Sequence, residues 1–232
     1  MVFPANDIYI GQSLALYGEY GEQECQTLLG FVHPGDVVID AGANVGAFTI
    51  PLAIRVGPNG RVHAFEPQRF VHQLLCANVA LNGLGNVHTH HAALGASAGS
   101  IIVPVPDYMA AGNFGAIELG SAAGASETVP VATIDSLRLT RLALLKADVE
   151  GMEAAVLAGG RETIERCRPV LYLEADRPAT AGVLSEMLAV LDYEVRPHSP
   201  PLFNPDNHAG ESRNVFGAIV SINLIATPRG RQ

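Results

Sequence analysis

Strand and helix signals alternate along most of the chain. They predict an α/β fold: a doubly wound, mostly parallel sheet covered by helices on both faces. Two observations carry the prediction. Short β-branched runs recur, each followed by apolar residues at helical spacing. The first junction, Asp40-Ala41-Gly42-Ala43-Asn44-Val45-Gly46, also gathers small residues where a strand must turn sharply into a helix. At 232 residues, 48% hydrophobic and only 16% charged, the chain suits one large domain with an enzyme-sized pocket, far from disordered compositions. No stretch approaches ~18 uninterrupted apolar residues, so a membrane span is not expected.

The elements follow in order. Val37 to Asp40 gives the first strand, and Val45 to Val56 a helix ended by Gly57-Pro58. Arg61 to Phe65 is a second strand, after which Pro67 opens a helix that stops near Asn82-Gly83. Val87 to Leu94 reads as the third strand. Ser100 to Val105 and Thr128 to Ala132 are β segments flanking a Gly/Ala/Ser-rich insertion, with Gly95 to Gly99 as a hairpin turn. Leu142 to Asp148 is strand-like, Met152 to Cys167 helical, Val170 to Glu174 strand-like and Ala181 to Leu191 helical. Tyr193 to Arg196 and Phe216 to Ala226 are joined by a proline-containing loop without a helix, which predicts an antiparallel edge. Neither a repeat nor a linker divides the chain, so residues 1–232 are expected to form a single domain.

Charge narrows the partners. The net charge of −9 comes from 23 acids against 14 bases, and the first Lys or Arg is Arg55. No basic arm for nucleic acid is present at that end, and no basic n-region of a signal peptide. The expectation is a cytoplasmic protein with no nucleic-acid and no membrane partner. Cys25, Cys76 and Cys167 form no C-x-x-C pair and read as reduced packing residues.

Three clusters carry chemistry. In the first, the glycines are four apart and Asp40 stands at the strand end, so the dinucleotide fingerprint is only partly met. An acid there would repel a pyrophosphate and attract a cationic or zwitterionic ligand such as S-adenosylmethionine. In the second, Phe65-Glu66-Pro67 places a carboxylate where ribose hydroxyls can donate to it. In the third, Lys146-Ala147-Asp148-Val149-Glu150-Gly151-Met152-Glu153 ends an apolar strand in charge, and strand alternation puts Lys146, Asp148 and Glu150 on one side. A snorkelling Lys146 and a helix-starting Glu153 are the plainer reading of two of these residues. Glu174 repeats the theme at the next strand end.

These motifs, with Ala64 to Pro67, Asn113-Phe114-Gly115 and Val156-Leu157, resemble the FkbM family of S-adenosylmethionine-dependent methyltransferases over about residues 17–226. The resemblance implies a class I methyltransferase (Rossmann-like) fold, with a seven-stranded sheet whose last strand is antiparallel. It also implies methyl transfer, usually to oxygen, often on sugars or polyketide hydroxyls. Asp40, Gly42, Asn44 and Gly46 would bind the methionine part of the cofactor and Glu66 its ribose, with Asp148 beside them. Residues 1–35 would cap a core of 36–226, with Tyr17, Glu19, Tyr20, Glu22 and Glu24 on a helix over the pocket.

Displacement at a sulfonium methyl needs alignment of the nucleophile and removal of its proton. Asp148 is the first candidate base, Glu150 the second, with His208 or His198 from the late loop as weaker candidates. Asn113, Glu174 and Asn207 are candidate acceptor-binding residues, and the acceptor is expected to be a small molecule or sugar. A divalent metal at Asp148, Glu174 and a polar neighbour is an unexpected alternative, and a homodimer is allowed by the sequence. Two other classes compete: a catalytically silent nucleotide- or sugar-binding module, and a nicotinamide-dependent oxidoreductase. Gly95-Ala96-Ser97-Ala98-Gly99 matches a G-x-S-x-G elbow without the helix that an elbow requires, so a hydrolase is discounted. His88 and His90 sit at strand spacing and read as edge-strand residues.

Overall fold

The computed structural model describes residues 1–120 and 124–230. Two short helices, α1 (Ile10–Tyr17) and α2 (Glu22–Leu29), precede the first strand. The single N-terminal helix expected from the family is therefore broken. Gly18 and Gly21 take left-handed φ values of 74° and 57° between the two pieces.

The core then runs β1 (Val37–Ala41), α3 (Thr49–Val56), β2 (Arg61–Phe65), α4 (Arg69–Leu81), β3 (Val87–His90), β4 (Ala93–Leu94), β5 (Gly99–Pro104), β6 (Ser126–Ala132), β7 (Leu144–Ala147), α5 (Glu153–Ala158), α6 (Arg161–Cys167), β8 (Val170–Glu174), α7 (Pro178–Val190), β9 (Tyr193–His198) and β10 (Asn223–Pro228). Seven strands form one sheet in the order β3-β2-β1-β7-β8-β10-β9. All pairings within β3 to β8 are parallel, whereas β10 runs antiparallel to both β8 and β9. The last strand is antiparallel as expected, but it is inserted inside the sheet, and β9 takes the edge.

Strand alternation divides the core between the two faces. Ile39, Leu145, Leu171 and Leu173 meet Val156, Ile164, Leu184 and Leu188 on α5, α6 and α7. Val38, Leu144, Tyr172 and Ile225 meet Cys25, Leu28, Leu52 and Val56 on α2 and α3. Burial on both faces explains why the central strands read as continuous apolar runs.

Several boundaries depart from the sequence pattern. The 45–56 segment becomes helical only at Thr49, because residues before it form the turn that follows β1. The 152–167 segment splits at Gly159-Gly160, where a side chain at Gly159 would overlap the Gly95 carbonyl oxygen. The 87–94 run also splits: β3 stays in the main sheet, while β4 joins a second sheet of order β4-β6-β5. Since β6 lies between β4 and β5, Gly95 to Gly99 is a crossover turn and not a hairpin. Phe216 to Ala226 becomes strand only from Asn223, the earlier part being loop that meets Pro201 through one bridge at Val220. The Gly/Ala/Ser-rich insertion keeps its place between β5 and β6, with residues 121–123 outside the described set, as are residues 231 and 232 of the expected single domain. Among the described residues, no helix is long and apolar enough to cross a membrane.

Candidate active site

Chain order reverses between β1 and β7, and at such a switch point the carboxyl ends of adjacent strands splay into a crevice. Gly42 turns the chain here at φ 76°, and a Cβ on it would overlap the Asp148 carbonyl oxygen. The same junction is tied by the Asp148 N–H, which donates to the Ala41 carbonyl at 3.1 Å. Asn44 is left-handed at φ 49°, with its side-chain oxygen accepting from the Val45 N–H at 2.8 Å. Gly46, at φ 93°, faces the other way: a Cβ on it would lie 2.9 Å from Leu75 on α4.

Glu66, only 3% exposed, stands across the crevice at the end of β2. Its two oxygens accept from the Asn44 and Gln68 N–H groups at 2.9 and 2.8 Å. Burial pushes its pKa up to about 7 against these two bonds, which favour the carboxylate. Gln68 also donates to the Phe114 carbonyl at 2.7 Å, which draws the insertion over the same edge.

Lys146 does not snorkel. It is 1% exposed, lies 3.6 Å from Asp40 and 3.5 Å from Asp148, and sits over the Phe48 ring. Burial lowers its pKa, but Asp148, Asp40 and Glu24 outweigh that and hold the ammonium charged. Asp40 is fully buried beneath the crevice floor, where Thr49 donates to it at 2.6 Å. Asp40 was expected to meet the ligand's ammonium, but its carboxylate is paired with Lys146 and does not reach the cleft, whereas Asp148 is 40% exposed. Glu153 keeps its plainer reading, since one of its oxygens accepts from the Val149 and Gly151 N–H groups and fixes the turn after β7.

Beyond Asp148 the wall is acidic. Glu150 adopts a left-handed φ of 55° and pairs with Arg177 at 2.9 Å. Arg177 also holds Glu118 of the insertion at 3.0 Å. Burial, then Asp148, raises Glu150 to about 7 against Arg177, and burial, then Asp148 and Glu150, raises Glu174 to about 9. Glu24 of α2 is likewise raised to about 7 by burial, with Lys146 opposing. Oxygens of Asp148, Glu150 and Glu174 all lie within 4.8 Å of one another, close enough to share a divalent cation.

Glu24, Glu66, Lys146, Asp148, Glu150 and Glu174 line one cleft of about 320 Å³, together with Tyr9, Tyr20, Phe48, Asn113 and Asn223. Lys146 is the only Lys or Arg among its described lining residues. A narrower apolar slot continues past Glu66 between Phe65, Pro67, Leu94, Val149 and Met152. Gly42, Asn44, Glu66, Asn113, Asp148, Glu150 and Glu174 thus come together as the sequence suggests. Asp40 and Gly46 support the turn without lining the cleft.

His208 and Asn207 do not join it. His208 is 66% exposed and lies 3.6 Å from Glu19. The Asn207 amide is spent inside its own loop, donating to Asn204 and Glu211 and accepting from the Glu211 N–H. Neither the expected base His208 nor the expected acceptor contact Asn207 lines the cleft. His198 is engaged by the Tyr172 hydroxyl at 2.9 Å. Sequence reasoning missed the apolar slot, because the 87–94 run gave no sign that Leu94 leaves the main sheet for β4, and it missed Asn223, an ordinary polar residue at the start of a strand.

A methyltransferase FkbM domain model matches residues 40–196, well over half of the chain. The chain belongs to the FkbM methyltransferase domain family. The match begins at Asp40 and contains every strand-end residue from the glycine turn to Glu174. Helices α1 and α2, Glu24 and Asn223 lie outside it.

Solved structures agree on the fold. One is the methyltransferase FkbM of Methylobacillus flagellatus, with 18% identity and a TM-score of 0.56 over 95% of this chain and 55% of that one. This chain therefore spans about half the length of that relative. A second is a putative methyltransferase of Streptococcus mutans in complex with SAH, with 12% identity and a TM-score of 0.52 over 89% of this chain and 96% of that one. A third is a putative rRNA methylase of Clostridium thermocellum, with 15% identity and a TM-score of 0.54 over 89% and 94%. Among curated proteins, none matches the sequence.

Proposed function

We propose that this FkbM domain binds S-adenosylmethionine at the ends of β1, β2 and β7 and methylates a hydroxyl of a small molecule or sugar. The observation that carries the reading is Glu66. Two backbone N–H groups fix its carboxyl between the glycine turn and the apolar slot. That arrangement suits an adenosine, with ribose hydroxyls donating to Glu66 and the base in the slot between Phe65 and Met152. Gly42 lines both the cleft and the slot, and the acidic wall suits a cationic ligand better than a pyrophosphate. This charge balance weighs against the nicotinamide reading.

The cofactor, when bound, supplies an electrophilic methyl on a sulfonium. The chain must hold the acceptor in line and take up the hydroxyl proton. Asp148 is our candidate for that transfer, and what supports it is that Asp148 lines the cleft, 40% exposed, with one oxygen 3.5 Å from Lys146. Glu150, turned away to Arg177, is second in line. The decisive test is transfer of a labelled methyl group from S-adenosylmethionine to a library of hydroxyl compounds, by the wild type and by Asp148→Asn. The reading expects labelled ethers from the wild type, with S-adenosylhomocysteine binding kept and turnover lost in the variant. Unchanged turnover in the variant would remove Asp148 as the base. Binding without transfer to any hydroxyl would instead favour a silent binding module.

A further inference from the structure

Outside the family match, two polar groups face each other across adjacent strands. Asn223 of β10 and Glu174 of β8 are register partners, which places their side chains on the same face and within reach of one another. Both line the cleft. Asn223 is 4% exposed, yet its Nδ2 has no hydrogen-bond partner among the described residues, and neither has the Glu174 Oε2. An unmade hydrogen bond at a buried donor or acceptor is costly, so a buried donor and a buried acceptor left unpartnered on register-paired residues need an explanation.

We propose that Asn223 and Glu174 form a specificity element that reads a second hydroxyl of the acceptor, adjacent to the one methylated beside Asp148. A hydroxyl is the small group that satisfies both at once: its oxygen accepts from the Asn223 amide and its proton is donated to the Glu174 carboxyl. An ammonium cannot accept, and a methylene can do neither. The terminal torsions of Asn and Glu side chains are soft, so each group turns into the cleft without leaving a rotamer well. Glu174 and Asp148 present oxygens within 4.8 Å of one another, a spacing that neighbouring hydroxyls on adjacent carbons can bridge. The proposal rests on the O-methylation reading and adds a requirement to it: the preferred acceptor carries a vicinal diol.

The test compares methyl pyranosides bearing a vicinal diol with their single-deoxy counterparts, in S-adenosylmethionine-dependent turnover and in calorimetric binding to protein loaded with S-adenosylhomocysteine. A site built to hydrogen-bond a hydroxyl rejects the analogue lacking it strongly, so the wild type should favour the diol by at least ~100-fold in kcat/KM. Asn223→Leu should erase most of that preference, chiefly through KM, while binding of S-adenosylhomocysteine is unchanged. Should Asn223→Leu fail to fold, Asn223→Asp removes the donor with little change of shape and should do the same. A wild type that methylates isolated hydroxyls as readily as diols overturns the diol requirement and leaves O-methylation standing. A variant that keeps the full preference removes Asn223 from the element. Methylation of no hydroxyl at all, with S-adenosylhomocysteine still bound, overturns the underlying reading and this proposal with it.

Discussion

The two halves of the cleft are built on different plans. On the β1, β2 and β7 side, polar groups find partners close by in sequence or across neighbouring strand ends: Glu66 with Asn44 and Gln68, Glu153 with Val149 and Gly151, Lys146 with Asp148. On the β8 and β10 side the late loop supplies part of the wall through Leu202 and Val220, and contacts outside the lining tie that loop to distant parts of the chain. Glu19 meets Asn204 and His208, and the Tyr17 hydroxyl donates to Arg213 and accepts from Val215, across 185 to 198 residues of sequence. There, Glu174 and Asn223 also keep unpartnered atoms. The difference teaches that the first half is fixed by local contacts, whereas the second depends on long-range ones and holds the pair to which we assign an acceptor hydroxyl.

The largest effects should come from breaking the first half. Lys146→Met would leave Asp40 buried without its cation and should cost about 3–5 kcal/mol in a urea unfolding curve. Gly42→Ala adds left-handed strain to an overlap with the Asp148 carbonyl and should cost about 2–4 kcal/mol, with S-adenosylhomocysteine binding abolished. Glu66→Gln removes one of two acceptors and should weaken that binding by roughly 10–100-fold, about 1.4–2.8 kcal/mol by calorimetry.

pH sharpens the same contrast. Glu24, Glu66 and Glu150 are all raised from 4.5 to about 7 in the folded chain, so the folded state binds more protons between those values. Stability contributed by these groups is therefore greatest below about 4.5 and declines as pH rises through about 7. His63 opposes this at the acid end: burial lowers it to about 4, so its contribution is present above 6.5 and lost as pH falls through about 4. Binding of S-adenosylhomocysteine should strengthen as pH rises through about 7, because ribose hydroxyls donate better to an ionised Glu66. Melting curves and titrations from pH 5 to 9 would check both slopes, and a binding curve flat in pH would contradict the role given to Glu66. The smallest effect belongs to the exposed His208, where His208→Ala should change stability by less than about 0.5 kcal/mol and leave turnover intact.

The same split decides what was legible in the sequence. The alternation of strands and helices, the glycine turn, Glu66 and the Asp148 cluster could be read because their signals are local: period, turn chemistry and strand ends. The burial of Lys146 could not be read, since it depends on β1 lying beside β7. Gly18 and Gly21 broke a helix that looked continuous by taking left-handed φ values, and the break after α5 falls where the distant Gly95 backbone comes against Gly159. That His208 and Asn207 lie outside the cleft could not be read either, since it depends on how their loop folds against α1. Asn223 gave no local signal, as its significance lies in facing Glu174 across two antiparallel strands.

The central claim is the cofactor, and calorimetric titration of the wild-type chain with S-adenosylhomocysteine and, separately, with NAD tests it most directly. The account predicts saturable binding of the first ligand at one site per chain, lost in Glu66→Ala, and no heat from the second. Binding of NAD alone, unaffected by Glu66→Ala, would contradict it.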